Sequence, residues 1–280
     1  MAIDPTAHID SVHLTTPDLA RSMAFYQERI GLRVQWQEDG VAALGVGGPD
    51  LLVLHESAAA PRVRGTTGLY HVAILVPSRP DLARTLRHLA QTRTVMQGFA
   101  DHFVSEAIYL ADPDGNGIEV YRDRPRAEWP LENGALRMGS DPLDIEGLLA
   151  EAGAAPWNGL PAATRIGHVH LHVARIPETE RFFVEGLGLD VMQRFGGSAS
   201  FLSAGGYHHH VGANTWAGVG APPPPPGAIG LRHVVIGVSN RDAVAAVARS
   251  LETAGVAHER GENEVTVDDP SGNTFKVTSS

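Results

Sequence analysis

Residues Val12 to Val34 read VHLTTPDLARSMAFYQERIGLRV, and residues Val169 to Val191 read VHLHVARIPETERFFVEGLGLDV. Each stretch opens as a short alternating strand and passes a proline and an acidic residue that start a helix. Each carries an aromatic pair on that helix (Phe25-Tyr26 and Phe182-Phe183), then returns through Gly-Leu to another strand. An acidic first turn suits the helix macrodipole. Two stretches of a second kind follow these: GLYHVAILVPSRPDLARTLRHLA from Gly68 and GLRHVVIGVSNRDAVAAVARSLETAG from Gly230. Both read as strand, turn and amphipathic helix. Both later reach an Asp-Pro-x-Gly-Asn turn and a last strand, DPDGNGIEVY from Asp112 and DPSGNTFKV from Asp269. Self-similarity of this kind implies four βαβββ modules, with one and three alike and two and four alike.

The modules divide the chain into an N-terminal pair over 5–126, a linker over 127–163 with a short helix in DIEGLLAEAG, and a C-terminal pair over 164–280. The run Pro222 to Pro226 lacks backbone donors and reads as a stiff polyproline II spacer between modules three and four.

Composition narrows the function. The 280 residues are 43% hydrophobic with a formal net charge of −10, which describes a soluble globular protein and argues against a general nucleic-acid binder. No run approaches the roughly 18 apolar residues of a membrane span. The start, MAIDPTAHID, lacks the basic and apolar regions of a secretory signal, so a cytoplasmic location is expected. Oligomeric state is left open, a homo-oligomer included. The chain has no cysteine and 14 histidines, so any metal is held by His, Asp and Glu.

The pattern resembles the vicinal oxygen chelate superfamily and, within it, the extradiol ring-cleaving enzymes of the catechol 2,3-dioxygenase type. DPDGNGIEVY carries the superfamily resemblance; IGHVHLHV with FLSAGGYHHHVGANTW carries the dioxygenase one. The resemblance implies an α+β fold in which four βαβββ modules form two cupped mixed β-sheets with helices packed outside. It also implies one metal, usually Fe(II), held by two His and one carboxylate, with open positions for an aromatic diol and O₂.

Strand phase agrees with such a face. Side chains alternate along a strand, so His168, His170 and His172 share one side and span roughly 13 Å, too far for all three to bind one ion. The same phase sets His71 opposite Val72, Ile74 and Val76, and Glu119 opposite Ile118 and Val120. Imidazoles and a carboxylate without thiolate suit non-haem Fe(II), with Mn(II) as a substitute. In the family the first-strand ligand follows a glycine, which selects His168.

At the family's ligand positions, modules one and two offer Ser11, His71 and Glu119, and modules three and four offer His168, His233 and Lys276. Lys276 puts a cation where the metal needs an anion. Pairing module two with three gives His71, Glu119 and His168, and pairing one with four leaves a blind set. That pairing is therefore expected. The resemblance also implies that His209, the second histidine of the run after Phe201-Leu202, relays the second catechol proton, with His208 and His210 pointing the other way along an extended strand. His102 and Tyr109 match positions that contact substrate. The competing functions are a glyoxalase-like isomerase or epimerase, whose sites usually carry a further carboxylate, and a drug-sequestering module without metal. At the fourth ligand position this chain supplies histidine rather than Glu, which disfavours the isomerase.

Overall fold

The protein is described from a computed structural model covering residues 2–279. Each expected module forms as strand, helix and three further strands. Module one is β1 (His8–Thr16), α1 (Leu19–Phe25), β2 (Arg33–Glu38), β3 (Val41–Gly45) and β4 (Asp50–Glu56). Module two is β5 (Gly68–Leu75), α2 (Arg79–Gln91), β6 (Met96–Asp101), β7 (Ser105–Ala111) and β8 (Gly117–Asp123). The connecting segment holds a small hairpin, β9 (Leu131–Glu132) with β10 (Ala135–Leu136), and the expected short helix α3 (Ile145–Ala150). Module three is β11 (Arg165–His172), α4 (Ile176–Arg181), β12 (Asp190–Phe195), β13 (Ala199–Ser203) and β14 (Val211–Asn214). Module four is β15 (Gly230–Val238), α5 (Arg241–Thr253), β16 (Glu259–Arg260), β17 (Glu264–Asp268) and β18 (Thr274–Ser279).

The strands form two mixed eight-stranded sheets. One runs β16-β17-β18-β15-β1-β4-β3-β2, joining module four to module one. The other runs β12-β13-β14-β11-β5-β8-β7-β6, joining module three to module two. This is the module pairing that the distribution of ligand-type residues implied. In modules two, three and four the first and last strands lie side by side and parallel: β5 with β8, β11 with β14 and β15 with β18.

The helices depart from expectation in two details. In α1 the acidic residue is the N-cap itself: Asp18 accepts the Arg21 N–H at 3.0 Å, and no acid follows in the first turn. Both type-one helices also widen into a π turn, Tyr26–Ile30 after α1 and Phe182–Leu187 after α4, each closed by a left-handed glycine, Gly31 and Gly188. The aromatic pairs sit at these transitions. Tyr26, Phe182 and Phe183 are buried, whereas Phe25 is half-buried.

The two Asp-Pro-x-Gly-Asn turns are built alike. Asp112 accepts the N–H groups of Asp114 and Asn116 at 2.8 and 2.9 Å and the Asn116 amide at 2.8 Å. Asp269 accepts the N–H groups of Ser271 and Asn273 at 2.8 and 2.9 Å and the Asn273 amide at 2.9 Å. Glycine in the fourth place takes φ of 91° at Gly115 and 81° at Gly272, a conformation that side-chain-bearing residues avoid. Burial raises both carboxyls, Asp269 to about 6, against the pull of these hydrogen bonds. The first turn also holds α1: Tyr26 donates to Asp112 at 2.9 Å, and Thr16 and Ser22 donate to Asp114 at 2.7 and 3.2 Å. Burial and the neighbouring Asp112 push the Tyr26 hydroxyl well above its ordinary value.

The chain clusters into two compact units: one of residues up to Thr15, Ala60–Tyr70 and Gly167 onward, the other of Thr16–Ala59 and His71–Ile166. In the first, Phe183 meets Phe275 edge-on at 5.3 Å, and the Ser250 hydroxyl donates to the Glu185 carbonyl at 2.9 Å, fixing α5 to the π turn. In the second, α2 packs on β8, and its Leu82, Leu86 and Leu89 are buried with Val72, Ile74, Ile118 and Val120. Those strand residues leave the opposite phase of β5 and β8 for polar groups.

Beside them, buried Glu106 accepts from Arg79 Nε at 2.8 Å and from Arg122 at 2.7 and 2.6 Å. Removing the acid leaves Arg122, itself buried, without its counter-ion. Glu106→Ala is expected to cost about 3–5 kcal/mol of unfolding free energy. Denaturant titration checks this; a loss below about 1 kcal/mol would mean that solvent or another acid replaces Glu106.

Candidate metal centre

In module two, β5 and β8 run parallel with His71 beside Gly117 and Ala73 beside Glu119. This register brings His71 Nε2 to 3.0 Å from Glu119 Oε2, with both side chains buried. On the other side of β8, Tyr109 is the direct partner of Glu119, and its ring lies 5.7 Å from that of His71. Further in, Ala73, Leu75, Ala107 and Tyr121 form a small apolar floor against which Tyr109 packs. Alternation thus puts His71, Glu119 and Tyr109 on one face.

His102 follows β6 and meets the Tyr109 hydroxyl through Nε2 at 2.6 Å, while its Nδ1 lies 2.6 Å from the Gly139 carbonyl. A carbonyl only accepts, so Nδ1 carries the proton; in the neutral ring Nε2 is then the acceptor for the tyrosine O–H. The connecting segment is held against this corner by the Asp101–Asp141 bridge. A side chain at Gly139 would collide with the Phe103 ring. Phe103 itself takes a φ of 72°.

In module three, His168 is buried on β11 with its ring 4.0 Å from that of His209. Contrary to the expectation from alternation, the histidine run is not extended strand: β14 begins only at Val211, and residues 207–210 lie in the loop after Gly205 and Gly206. Both glycines have positive φ, and this turn releases the run from simple alternation. His208 therefore does not point away from His209. Their Nδ1 atoms are 2.7 Å apart, and the buried His208 ring also approaches His168, at 6.1 Å. Only His210 turns elsewhere, its Nδ1 accepting the Ala204 N–H at 3.2 Å and meeting the Ser203 hydroxyl at 2.9 Å.

One ligand atom each from His71, Glu119 and His168 lies within 4.8 Å of the other two. Two imidazoles and a carboxylate, all buried, are the donor types that suit Fe(II) or Mn(II). Among the described residues no other cluster of three such groups approaches metal-binding spacing. At the corresponding positions in modules one and four, the His233 ring stacks on His13 at 3.9 Å, and Ser11 lies 3.4 Å from His13 Nε2. Lys276 donates to Glu264 at 2.8 Å and draws the Glu264 carboxyl below its ordinary value.

Two features of the site are not encoded in residue type and alternation. The Gly139 carbonyl that orients His102 is a backbone group, which leaves no trace in residue type. Tyr70 lies one residue before His71, so strict alternation turns it to the other face. Yet its ring meets His170 at 5.2 Å and His172 at 5.0 Å. At the matching place in β15, His13 pairs with His233 and Leu14 with Leu231, leaving Arg232 as an extra residue. A bulge of that kind breaks the two-residue period, and the repeat GLYHV/GLRHV was the available signal.

Residues 8–120 and 165–277 match the Glyoxalase/Bleomycin resistance protein/Dioxygenase superfamily, and the chain belongs to it. Within that class, it is 43% identical over 274 residues, 96% of each chain, to the Catechol-2,3-dioxygenase of Bacillus subtilis (strain 168). Among solved structures it is similar to a candidate dioxygenase from Bacillus subtilis subsp. subtilis strain 168, at a TM-score of 0.66 and 14% identity over 100% of this chain and 86% of that one. Glyoxalase I from Zea mays is similar at a TM-score of 0.61 and 15% identity, over 98% of this chain and 92% of that one. At those identities the two structures speak for the fold alone. No helix among the described residues is long and apolar enough to cross a membrane.

Proposed function

We propose that this protein is an Fe(II)-dependent extradiol dioxygenase that opens a catechol-type ring beside the diol with O₂, in the breakdown of aromatic compounds. The observation that carries the reading is the convergence of His71, Glu119 and His168 within 4.8 Å, in a chain 43% identical to a protein named for this activity. These three residues would hold the metal. Bound there, the ion supplies Lewis acidity toward the two diol oxygens and a position for O₂ next to them.

The chain's own groups would move the protons. His209, its ring against that of His168, would take the second diol proton, a role to which an imidazole is suited. When His209 Nδ1–H donates to His208, Nε2 carries the lone pair that accepts this proton. The Tyr109 O–H would donate its hydrogen bond to His102 Nε2, so its hydroxyl oxygen presents an acceptor to the substrate. The Gly139 carbonyl keeps His102 in the tautomer that makes this so. An isomerase is less well supported, because the ligand cluster carries a single carboxylate.

Protein loaded anaerobically with Fe(II) and then given catechol and air is expected to consume O₂ and turn yellow. Absence of O₂ uptake across a panel of substituted catechols, with iron demonstrably bound, would overturn ring cleavage.

A further inference from the structure

Two large aromatic side chains beside the His168 strand stay open to solvent: Trp216 is 52% exposed and Tyr70 39%. Their rings meet edge-on at 5.2 Å. Beneath them His170 is buried, 5.2 Å from Tyr70, 5.4 Å from Trp216 and 5.6 Å from Phe201. Phe201 in turn lies 5.0 Å from His209. The rings thus make a continuous wall from the metal-ligand position to the exposed tryptophan. The wall depends on Gly212, the strand partner of His170, where an added Cβ would come 2.9 Å from the imidazole.

At the far end sits a buried amide with a fixed orientation. Asn214 Oδ1 accepts the backbone N–H of Trp216 at 2.9 Å, so the other amide atom is the nitrogen. His172 Nδ1, 2.8 Å from the same oxygen, must be a donor. Asn214 Nδ2 is buried without a hydrogen-bond partner in the protein. Native proteins rarely leave such a donor unmet, and an acceptor on a bound ligand would satisfy it.

We infer that Tyr70, Trp216, His170 and Asn214 form a subsite for a flat, conjugated substituent that ends in a hydrogen-bond acceptor. On the ring-cleavage reading, on which this rests, the substrate is then a catechol with an unsaturated carbonyl or carboxylate arm. Flat unsaturated groups pack well against ring faces and edges. The arm would run along β11, whose residues 168 to 172 span roughly 13 Å. Its terminal oxygen would take the Asn214 N–H.

Three probes separate the parts of this assignment: catechol, 4-vinylcatechol with a flat arm and no acceptor, and caffeate with both. Trp216→Ala is expected to lower the caffeate-to-catechol ratio of kcat/KM about tenfold. Asn214→Leu should lower the caffeate-to-vinylcatechol ratio by a similar factor. Calorimetry under nitrogen should give the same order in Kd without turnover. If catechol is cleaved but neither ratio moves, the subsite is wrong and ring cleavage stands. If none of the three is cleaved yet Trp216→Ala still weakens caffeate binding about tenfold, the subsite stands and the cleavage reading falls. Unchanged Kd for caffeate in both variants overturns the subsite whatever the turnover.

Discussion

Glu119→Gln is expected to purify with little or no iron, while His233→Ala retains a content near one ion per chain. Glutamine keeps the size of the side chain but removes the one anion among the three proposed ligands. Two neutral imidazoles then face a dication alone. Changes to groups that merely support a ligand typically weaken metal binding about 10- to 100-fold, so loss of a ligand charge should exceed that range. The substitution would also change the contact that Glu119 now makes with His71 Nε2 at 3.0 Å, turning a charged acceptor into a neutral amide. His233 occupies the matching strand position in module four, but there it stacks on His13, and the neighbouring Lys276 is satisfied by Glu264. Its loss should be felt in packing rather than in metal. Iron analysis of the two variants, prepared side by side under nitrogen, decides between the sheets. Iron retained by Glu119→Gln and lost from His233→Ala would move the centre to the other sheet and leave Lys276 unexplained.

Much of this arrangement is legible in the sequence because it depends on local rules. The Asp-Pro-x-Gly-Asn turns can be read because the aspartate binds two backbone N–H groups and the asparagine within its own five residues. Glu119 and His71 can be phased because their neighbours Val72, Ile74, Ile118 and Val120 must be buried. Even the module pairing follows from a local fact, the lysine at position 276 where its repeat has a glutamate. Alternation stops predicting side-chain direction where the chain leaves the regular period. The loop through Gly205 and Gly206 lets His208 and His209 face each other, which no alternation argument anticipates. Tyr70 changes face where its repeat counterpart Arg232 is an extra residue in the strand. Asp18 became an N-cap rather than a first-turn acid, a shift of one position that sequence pattern alone rarely fixes. The tautomer of His102 depends on a carbonyl 37 residues away in the connecting segment.

His209→Ala and His209→Gln should both keep iron and lose most turnover, by about 10²- to 10⁴-fold, the usual contribution of a general acid–base group. The ring of His209 lies against the proposed ligand His168, but it is not among the three groups that converge at metal-binding spacing. Its other contacts fit a base that must be oriented: His208 holds Nδ1 at 2.7 Å, and the Phe201 ring supports it edge-on at 5.0 Å. Glutamine preserves much of the bulk and one hydrogen bond to His208 but cannot exchange a proton near neutral pH. If the lost function is proton transfer, the glutamine variant is as impaired as the alanine one. Added imidazole should then restore part of the turnover in His209→Ala, where it has room, and none in His209→Gln. A role in shaping the site predicts the reverse, with glutamine close to the unaltered protein and imidazole without effect. Loss of iron from both variants would make His209 a ligand and require the triad to be redrawn. Full turnover in both would leave the second diol proton to another group, with His208, 4.7 Å from His209 ring to ring, next to be tested.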